Sequence, residues 1–418
     1  MKNMRQLMSS IVLIIILLTF CVNVFCGQNQ TIEELYFQGV DLIDNHEKYE
    51  EALTYFQQIL QIEPDNADAH FQIGKIFRNV CQFDKAIISY KKAINYRPNY
   101  SSAYYGLGLS YLELKKNDDA LDSFKQAIRS KPDYARAHYG LGLAYNELGR
   151  YNDSIAAFKQ ALLIEPDDAQ TYYGLGITYE QIGEYQKSID ALEKAVYYQP
   201  DYAKAFYHLG MNYEKLQMFT EAIKNLETAS IYLADSADTI YYTIGIILKE
   251  MEGKEKEAIE SFKKALKINP KFTDAFFYIG WINNVLGNYN ETIEAYLEVI
   301  KIDPDYTFIY YNLGWAYGEL EKYQEAAETF KKAIQQNPED ADTYYGLGWA
   351  YNKLEDYEKA IENFKEVIRI KPDYTYAHYS LGMIFLVQGD KNTALDEYKI
   401  LMDLDKEIAN RLFNLIYQ

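Results

Sequence analysis

Apolar residues recur along this chain at the spacing of amphipathic helices, and the helical segments come in pairs. In one pair, the first segment places four residues on one face: Tyr344, Leu347, Gly348 and Tyr351. The second segment does the same with Ala360, Phe364 and Val367. Spacings of three and four residues put side chains on one side of an α-helix. The polar link at 354–358 is short, which predicts that the two helices are antiparallel neighbours.

Prolines mark the period of this pattern. They recur at one constant interval in two series, at Pro64, Pro98, Pro132, Pro166 and Pro200 and then at Pro270, Pro304, Pro338 and Pro372. The gap between the two series is two intervals plus two residues, and the extra residues fall near 234–238 and 251–256. Each proline follows a second helix and ends it. The pattern therefore predicts about eleven units between Glu33 and Asp405.

The 34-residue unit resembles the tetratricopeptide repeat (TPR). The unit that begins at Ala341 supplies the positions of the family motif with Tyr344, Leu347, Gly348, Tyr351, Ala360, Phe364 and Pro372, whereas Val367 replaces the usual alanine. The resemblance implies an all-α fold, a right-handed superhelical α-solenoid in which neighbouring repeats stack to bury their apolar faces. We expect the array to span 33–405 and 406–418 to form a C-terminal capping helix, because apolar residues there recur at helical spacing: Ile408, Leu412, Leu415 and Ile416.

Two glycines inside the first helix need a reason, because each costs about 1 kcal/mol relative to alanine. The stretch "TYYGLGWAY" at 343–351 has close relatives that begin at Ala103, Ala137 and Thr171. From the resemblance we expect Gly348 to face Ala360, so that the two helices approach closely. We assign Gly346 to the opposite face, where it either opens space beside the aromatic residues or lets neighbouring helices close up.

The resemblance also indicates a candidate binding surface. First helices line the concave face in the family, and two positions four residues apart would face that groove. In three consecutive units these positions hold Phe277 with Trp281, Tyr311 with Trp315, and Tyr345 with Trp349, which include all three tryptophans of the chain. We expect these six residues to bind an extended peptide or an amphipathic helix, since tryptophan and tyrosine are frequent interface anchors.

Two other interpretations of the tryptophans stay open. They could thicken the core between repeats, or three adjacent units could be duplications that carry one tryptophan along. One familiar use of the family is excluded, because chaperone-binding members grip a terminal carboxylate with lysine and asparagine on the first helices. This chain has tyrosine or phenylalanine at the lysine position and apolar residues at the asparagine position.

No pattern of residues indicates catalysis. Three of the five histidines, His70, His138 and His378, occupy the repeat position of Tyr344 and are at least two repeats apart. We expect them to be hydrogen-bonded histidines of packed helix faces. No histidine and cysteine cluster has the spacing of a metal site. The sequence therefore predicts no enzyme, no catalytic residue, no cofactor and no metal.

The net charge limits the class of partner, and the N-terminal segment indicates where the protein is located. The net charge is −19, which disfavours nucleic-acid binding. Lys2 and Arg5 precede an uncharged apolar run at 8–25, which predicts an export signal within 1–27. A cleaved signal, an uncleaved membrane anchor and a lipoprotein signal stay open. In each case the repeats would lie outside the cytoplasm, periplasmic, extracellular or anchored facing outside. Two of the three cysteines lie within 1–27. The third, Cys81, stands in a turn where another unit has Gly149.

Together these features favour a non-enzymatic, exported protein–protein interaction scaffold that helps to assemble an envelope or secreted complex. The alternative is a structural protein of the cell envelope that self-associates through its 42 tyrosines and is therefore a homo-oligomer. Neither pattern nor resemblance names the partner.

Overall fold

A computed structural model describes residues 31–44 and 47–417, and in these ranges the chain forms twenty-three α-helices, one short 3-10 helix and no strand. The predicted all-α fold is confirmed. The predicted signal or anchor at 1–27, with its apolar run, lies outside the described residues. None of the helices within 31–44 and 47–417 combines the length and the hydropathy needed to cross a bilayer.

The described residues divide into two compact units, and the boundary lies between Leu216 and Gln217. The helices of the first unit are α1 Ile32–Asp44, α2 Tyr49–Ile62, α3 Ala67–Asn79, α4 Phe83–Tyr96, α5 Ser101–Glu113, α6 Asn117–Ser130, α7 Ala135–Glu147, α8 Tyr151–Ile164, α9 Ala169–Gln181, α10 Tyr185–Tyr198 and α11 Ala203–Lys215. Within this unit, α1, α3, α5, α7 and α9 each pack against the following helix as a hairpin, each hairpin packs against the next, and α10 packs against α11.

The second unit continues the same pattern. Its helices are α12 Phe219–Tyr232, α13 Ala237–Lys249, α14 Glu255–Ile268, α15 Thr273–Val285, α16 Tyr289–Ile302, α17 Ile309–Glu319, α18 Tyr323–Gln336, α19 Ala341–Lys353, α20 Tyr357–Ile370, α21 Thr375–Val387, α22 Lys391–Leu404 and α23 Lys406–Ile416, with the 3-10 helix Ala234–Ser236 after α12. Helix α23 packs against α21 and α22. It buries Leu412 and Ile416, whereas Leu415 lies exposed.

The turn inside a hairpin contains a residue in the left-handed region. Gly149 has φ 69° and Cys81 has φ 59° at equivalent places. The amide of Cys81 donates to the carbonyl of Arg78, and the amide of Gln82 donates to the carbonyl of Phe77. These bonds close the end of α3 in the way that a glycine closes most helices. Cys81 is thus an exposed turn residue.

The paired glycines make room for aromatic rings of the second helices. A Cβ atom on Gly348 would come within 2.8 Å of the Phe364 ring, on the second helix of the same repeat. A Cβ atom on Gly346 would come within 2.7 Å of the Phe330 ring, on the second helix of the preceding repeat. The expected approach of Gly348 to Ala360 stays a prediction, and the equivalent positions of another repeat do meet, because the hydroxyl of Ser154 donates to the carbonyl of Gly142 at 2.8 Å. Of the two alternatives for Gly346, the structure agrees with close packing of neighbouring helices, because Phe330 fills the space beside this glycine.

We call these second-helix aromatics the core rings. Four of them lie between glycines of two successive first helices: Tyr90, Phe124, Phe158 and Phe330. All four are nearly or completely buried. The ring area that is removed from water offsets the low helix propensity of the glycines. In these four repeats, the contact links one hairpin to the next.

Candidate protein-binding surface

The predicted surface begins with three aromatic residues of the second unit, each on the first helix of its hairpin. They are Phe277, Tyr311 and Tyr345, and we call them first-helix rings. Their centroids lie 6.0, 6.2 and 5.5 Å from the core rings of Tyr296, Phe330 and Phe364, respectively. All three are half-buried. Burial raises the pKa of Tyr311 and of Tyr345 above the usual tyrosine range. Each first-helix ring is thus held on a buried ring and has one further side to cover.

A second aromatic covers that side in most repeats. It stands two residues after the repeat proline, and we call it the turn ring. In the second unit, Phe272 lies over Tyr242 at 4.8 Å, Tyr306 over Phe277 at 5.4 Å and Tyr374 over Tyr345 at 5.3 Å. The first unit repeats this arrangement with Tyr100 on Phe71, Tyr134 on Tyr105 and Tyr202 on Tyr173. We call a first-helix ring with its turn ring a closed rung.

Turn rings are also fixed by their hydroxyl groups. The hydroxyl of Tyr374 donates to Asp342, and that of Tyr306 donates to Asp274, both at 2.7 Å. Burial, followed by the hydrogen bond to Asp342, raises the pKa of Tyr374 above its usual range. In the first unit, Tyr100 donates to Asp68, which Arg97 also holds in a bidentate ion pair. A closed rung is therefore an ordered part of the fold.

Tyr311 has no turn ring. The residue two positions after Pro338 is Asp340, and it caps helix α19 instead. Its carboxylate accepts hydrogen bonds from the amide of Asp342 at 3.3 Å and from the hydroxyl of Thr343. Beside Tyr311 lies a cavity of about 330 Å³, whose lining includes Thr307, Phe308, Gln336, Asn337 and Asp340. We call Tyr311 with Asp340 an open rung.

The turn before α17 helps to shape this cavity. Phe308 has φ 61° and caps a helix of 11 residues, whereas α19 and α21 have 13. A bulky side chain in the left-handed region costs about 1–2 kcal/mol. The ring of Phe308 is 59% exposed. The unusual turn therefore leaves Thr307 and Phe308 outside the helix, where they line the cavity.

The structure brings two of the three tryptophans together. Trp315 and Trp349 have ring centroids 5.1 Å apart, and Trp315 also meets Phe330 at 5.5 Å and Tyr311 at 6.3 Å. Trp349 lies over Gly318, where a Cβ atom would come within 2.5 Å of the indole. Both tryptophans are half-buried between repeats. Their contact joins the first helices of two successive repeats, which agrees with the interpretation that these two tryptophans thicken the core between repeats.

Trp281 differs from this pair. It is 40% exposed, and the ammonium of Lys249 lies 5.2 Å from its ring centroid. A cation over an indole ring is a favourable contact at an exposed site. The six predicted residues thus occupy three settings: rings held on the core, a tryptophan pair between repeats, and an exposed tryptophan. Their role in protein binding stays a prediction.

The first unit contains a second open rung. Asp168 stands two residues after Pro166 and caps α9 through the amide of Thr171 at 3.0 Å. A cavity of about 360 Å³ lies beside Tyr139, and Arg78 and Arg136 are among its lining residues. In both units, a cavity therefore lies where an aspartate replaces the turn ring. The two cavities differ in charge, because only the first-unit cavity is lined by arginine.

The histidines make structural hydrogen bonds. His70, His138 and His378 lie within 2.9–3.1 Å of the carbonyls of Pro64, Pro132 and Pro372 through Nε2. His378 also contacts Glu397 at 2.7 Å through Nδ1. That hydrogen bond raises the pKa of His378, against the lowering effect of burial. No group of three or more metal-ligating side chains occurs in the described ranges 31–44 and 47–417.

Sequence reasoning missed two features. The open rungs could have been found, because the position two residues after each proline holds tyrosine or phenylalanine in most repeats and aspartate at 168 and 340. A larger cavity of about 710 Å³ lies among α14, α15 and α16, where Ile259, Leu266 and Phe276 form apolar walls and Glu294 and Glu298 stand among the polar residues. Smaller cavities of about 350 and 200 Å³ lie at the equivalent place in two other repeats, so this cavity belongs to the packing of one hairpin on the next, which the pattern of a single helix does not contain.

Comparisons with known proteins agree with the repeat architecture. Family profiles described as tetratricopeptide repeat match residues 105–171, 311–375 and 353–405, and related TPR profiles match 82–115, 145–207, 203–230, 238–272 and 285–321. The protein O-mannosyl-transferase Tmtc3 of Drosophila melanogaster is 40% identical over 52 residues, which are 12% of this chain and 6% of the transferase. The chain thus spans a small part of that relative.

Solved structures of TPR proteins show partial similarity. MamA from Desulfovibrio magneticus RS-1 is 24% identical, with a TM-score of 0.39, 41% of this chain and 96% of that chain covered. YrrB, described as a TPR protein with an unusual peptide-binding site, is 20% identical with a TM-score of 0.37, over 43% of this chain and 93% of that chain. Yeast Tom70 is 14% identical with a TM-score of 0.34, over 92% of this chain and 95% of that chain.

The family assignment rests on the profiles and on the repeated hairpins. Together the profiles cover residues 82–230, 238–272 and 285–405, which is well over half of the chain. The chain therefore belongs to the tetratricopeptide repeat family.

Proposed function

We propose that this chain is a non-enzymatic protein–protein interaction scaffold, exported from the cytoplasm, that binds a peptide or protein segment on the aromatic surface of its second unit. The TPR fold is suited to protein–protein interaction, since stacked hairpins present the same face of successive first helices. The surface is formed by the six residues Phe277, Trp281, Tyr311, Trp315, Tyr345 and Trp349. The bound segment would belong to an envelope or secreted complex.

The row of first-helix rings is the observation that carries this proposal. Phe277, Tyr311 and Tyr345 occupy the same position in three successive repeats, and each stands on a buried core ring. Rings held in this way lose little conformational freedom when a partner covers them, and aromatic anchors dominate many interfaces. Tyr306 and Tyr374 cover one side of Phe277 and Tyr345, so a bound segment would contact the parts of these two rings that stay accessible and the uncovered side of Tyr311.

Export is proposed from the sequence alone. Lys2 and Arg5 precede the uncharged run at 8–25, which is the order of a basic region and an apolar region in an export signal. Fractionation of source cells that express a C-terminally tagged full chain tests it. We expect the tag outside the cytoplasm, accessible to protease added to intact cells or spheroplasts. Complete protection of the tag would contradict export and would leave the binding surface to be tested separately.

Site-specific photo-crosslinking tests the surface. A benzophenone amino acid at Trp281, which is exposed, should crosslink the partner in source cells. The matched control places the same group at Glu328, which is exposed on the second helix α18. A partner captured at 281 and absent at 328 supports the proposal. Equal capture at both positions contradicts it, and capture of a second copy of the chain would favour the self-associating alternative.

A further inference from the structure

We propose that the open rung beside Tyr311 is a pocket for an aromatic side chain, tyrosine or phenylalanine, of the bound partner. This inference rests on the proposed function, because a bound protein segment carries that side chain. It adds the type of one side chain of the partner. That side chain takes the place of the turn ring, which the chain itself supplies in the neighbouring repeats. The juxtaposition that carries it is Tyr311, Asp340 and the cavity of about 330 Å³ between them.

The chain shows what fits at this place. In the second unit, turn rings cover Tyr242, Phe277 and Tyr345 at centroid distances of 4.8–5.4 Å. Tyr311 occupies the same repeat position, but Asp340 occupies the turn-ring position. The side of Tyr311 that would hold a turn ring therefore borders the cavity. A ring of the partner that takes this place makes the tilted or stacked contact that aromatic pairs prefer.

The fold does not need a ring at this point. Asp340 caps helix α19 with its own carboxylate, whereas α21 begins after Tyr374 with no side-chain cap. A first helix can therefore begin after an aspartate that caps it or after a tyrosine that does not. A cavity of about 150 Å³ is known to hold a benzene molecule, so this larger cavity has room for a phenol or phenyl ring.

The lining favours an aromatic occupant over a cation. Tyr311 and Phe308 supply ring surfaces, and the amide side chains of Gln336 and Asn337 offer partners for a phenol hydroxyl. The carboxylate of Asp340 already accepts hydrogen bonds from Asp342 and Thr343. Asp305 is the remaining carboxylate of the lining, and it is exposed. An exposed carboxylate interacts weakly with a cation because water and salt screen it.

The three tryptophans provide a direct reporter. In the full chain labelled with 5-fluorotryptophan, fluorine NMR resolves one signal for each of Trp281, Trp315 and Trp349. Trp315 lies 6.3 Å from Tyr311, so its signal should move when the pocket fills. The probes are acetyl-Ala-Xaa-Ala-amide peptides in which Xaa is tyrosine, phenylalanine, leucine or lysine. We expect tyrosine and phenylalanine peptides to bind with a Kd on the order of 1 mM.

Two variants of one residue separate the explanations. Asp340→Tyr supplies the turn ring within the chain and should weaken binding of the tyrosine peptide at least ten-fold. Asp340→Asn keeps a capping side chain and the cavity, as Asn66 caps α3, and should bind as the wild type does. Asp168→Tyr closes the rung of the first unit and should leave the Trp315 response unchanged. Circular dichroism and urea unfolding establish that each variant is folded.

The contrary results are equally specific. Binding of the tyrosine peptide that survives in folded Asp340→Tyr overturns the proposal, as does equal binding of the leucine peptide. Binding of the lysine peptide that is lost in Asp340→Asn would show a cation site instead. If the peptides bind as expected but photo-crosslinking at Trp281 captures no partner, the pocket stands and the scaffold proposal fails. If a partner is captured but no aromatic peptide binds, the scaffold stands and the pocket fails.

Discussion

The repeats of Tyr345 and Tyr311 differ at the turn-ring position, which holds Tyr374 in one and Asp340 in the other. Tyr374 covers Tyr345 and donates a hydrogen bond to Asp342, whereas Asp340 leaves a cavity beside Tyr311. Both first-helix rings stand on a buried core ring. The core ring is therefore common to the packing of both repeats. The turn ring is present in one repeat and absent from the other. A capping aspartate in place of the turn ring thus leaves a cavity where the neighbouring repeat has an aromatic contact.

The core rings should be equally important in the two repeats. Phe330→Ala and Phe364→Ala each empty a fully buried site, and each should lower the free energy of unfolding by about 3–5 kcal/mol. Urea unfolding followed by circular dichroism measures both. A cost at Phe330 that is smaller by more than about 2 kcal/mol would show that the open-rung repeat is loosely packed, and the comparison would fail.

Replacing a tryptophan should destabilise the fold more where the side chain is more buried. Trp349 fills the space over Gly318 and contacts Trp315, so Trp349→Ala should cost about 2–3 kcal/mol of unfolding free energy. Trp281 is exposed, so Trp281→Ala should cost less than about 1 kcal/mol. Urea unfolding compares the two. Equal costs would mean that the pair beside the open rung contributes no more to the fold than an exposed ring.

A closed rung can be opened by substitution. Tyr374→Asn removes the stacked ring and the hydrogen bond to Asp342 but restores a capping side chain. Because these effects oppose each other, the free energy of unfolding should fall by about 1–2 kcal/mol. The variant should also bind a second tyrosine peptide beside Tyr345, which a calorimetric titration detects as a higher stoichiometry. An unchanged stoichiometry in the folded variant would contradict the equivalence of the two rungs.

The smallest effect concerns pH. The ring of His378 hydrogen-bonds to the Pro372 carbonyl in the closed-rung turn and pairs with Glu397, which raises its pKa. A raised pKa in the folded state means that the stabilisation is present below the unfolded-state value of 6.5 and is lost as pH rises through the folded-state value. We expect the free energy of unfolding to fall by about 1 kcal/mol or less as the pH rises. Urea unfolding across this range should show it in the wild type and not in Glu397→Gln.

Much of the fold could be predicted because each repeat is a local unit. Pro338 and Pro372 mark the period, and the apolar spacing of Tyr344, Leu347 and Tyr351 indicates the first helix without any long-range information. The family resemblance then placed the six aromatic residues on first helices, where the structure has them. Contacts between repeats were harder to predict. The pattern within one helix leaves two alternatives for Gly346, because it does not show which neighbouring helix covers that face.

The candidate pocket required a contact that no local pattern contains. Tyr311 and Asp340 belong to successive repeats, and only the stacking of one hairpin on the next brings a turn over a first-helix ring. The same holds for Trp315 and Trp349, whose contact depends on Gly318. The tryptophans were noticed because they are rare, and the aspartate was missed because aspartate after proline is ordinary in a turn.

The most direct test measures the affinity of the crosslinked partner, once captured, for the wild type, Asp340→Asn and Asp340→Tyr. All three are full chains with the same helices, and the two variants differ in whether a ring fills the open rung. The account predicts equal affinity for the wild type and Asp340→Asn, and at least ten-fold weaker affinity for Asp340→Tyr. Equal affinity of the partner for all three folded proteins would contradict the claim that the open rung takes an aromatic side chain of the partner.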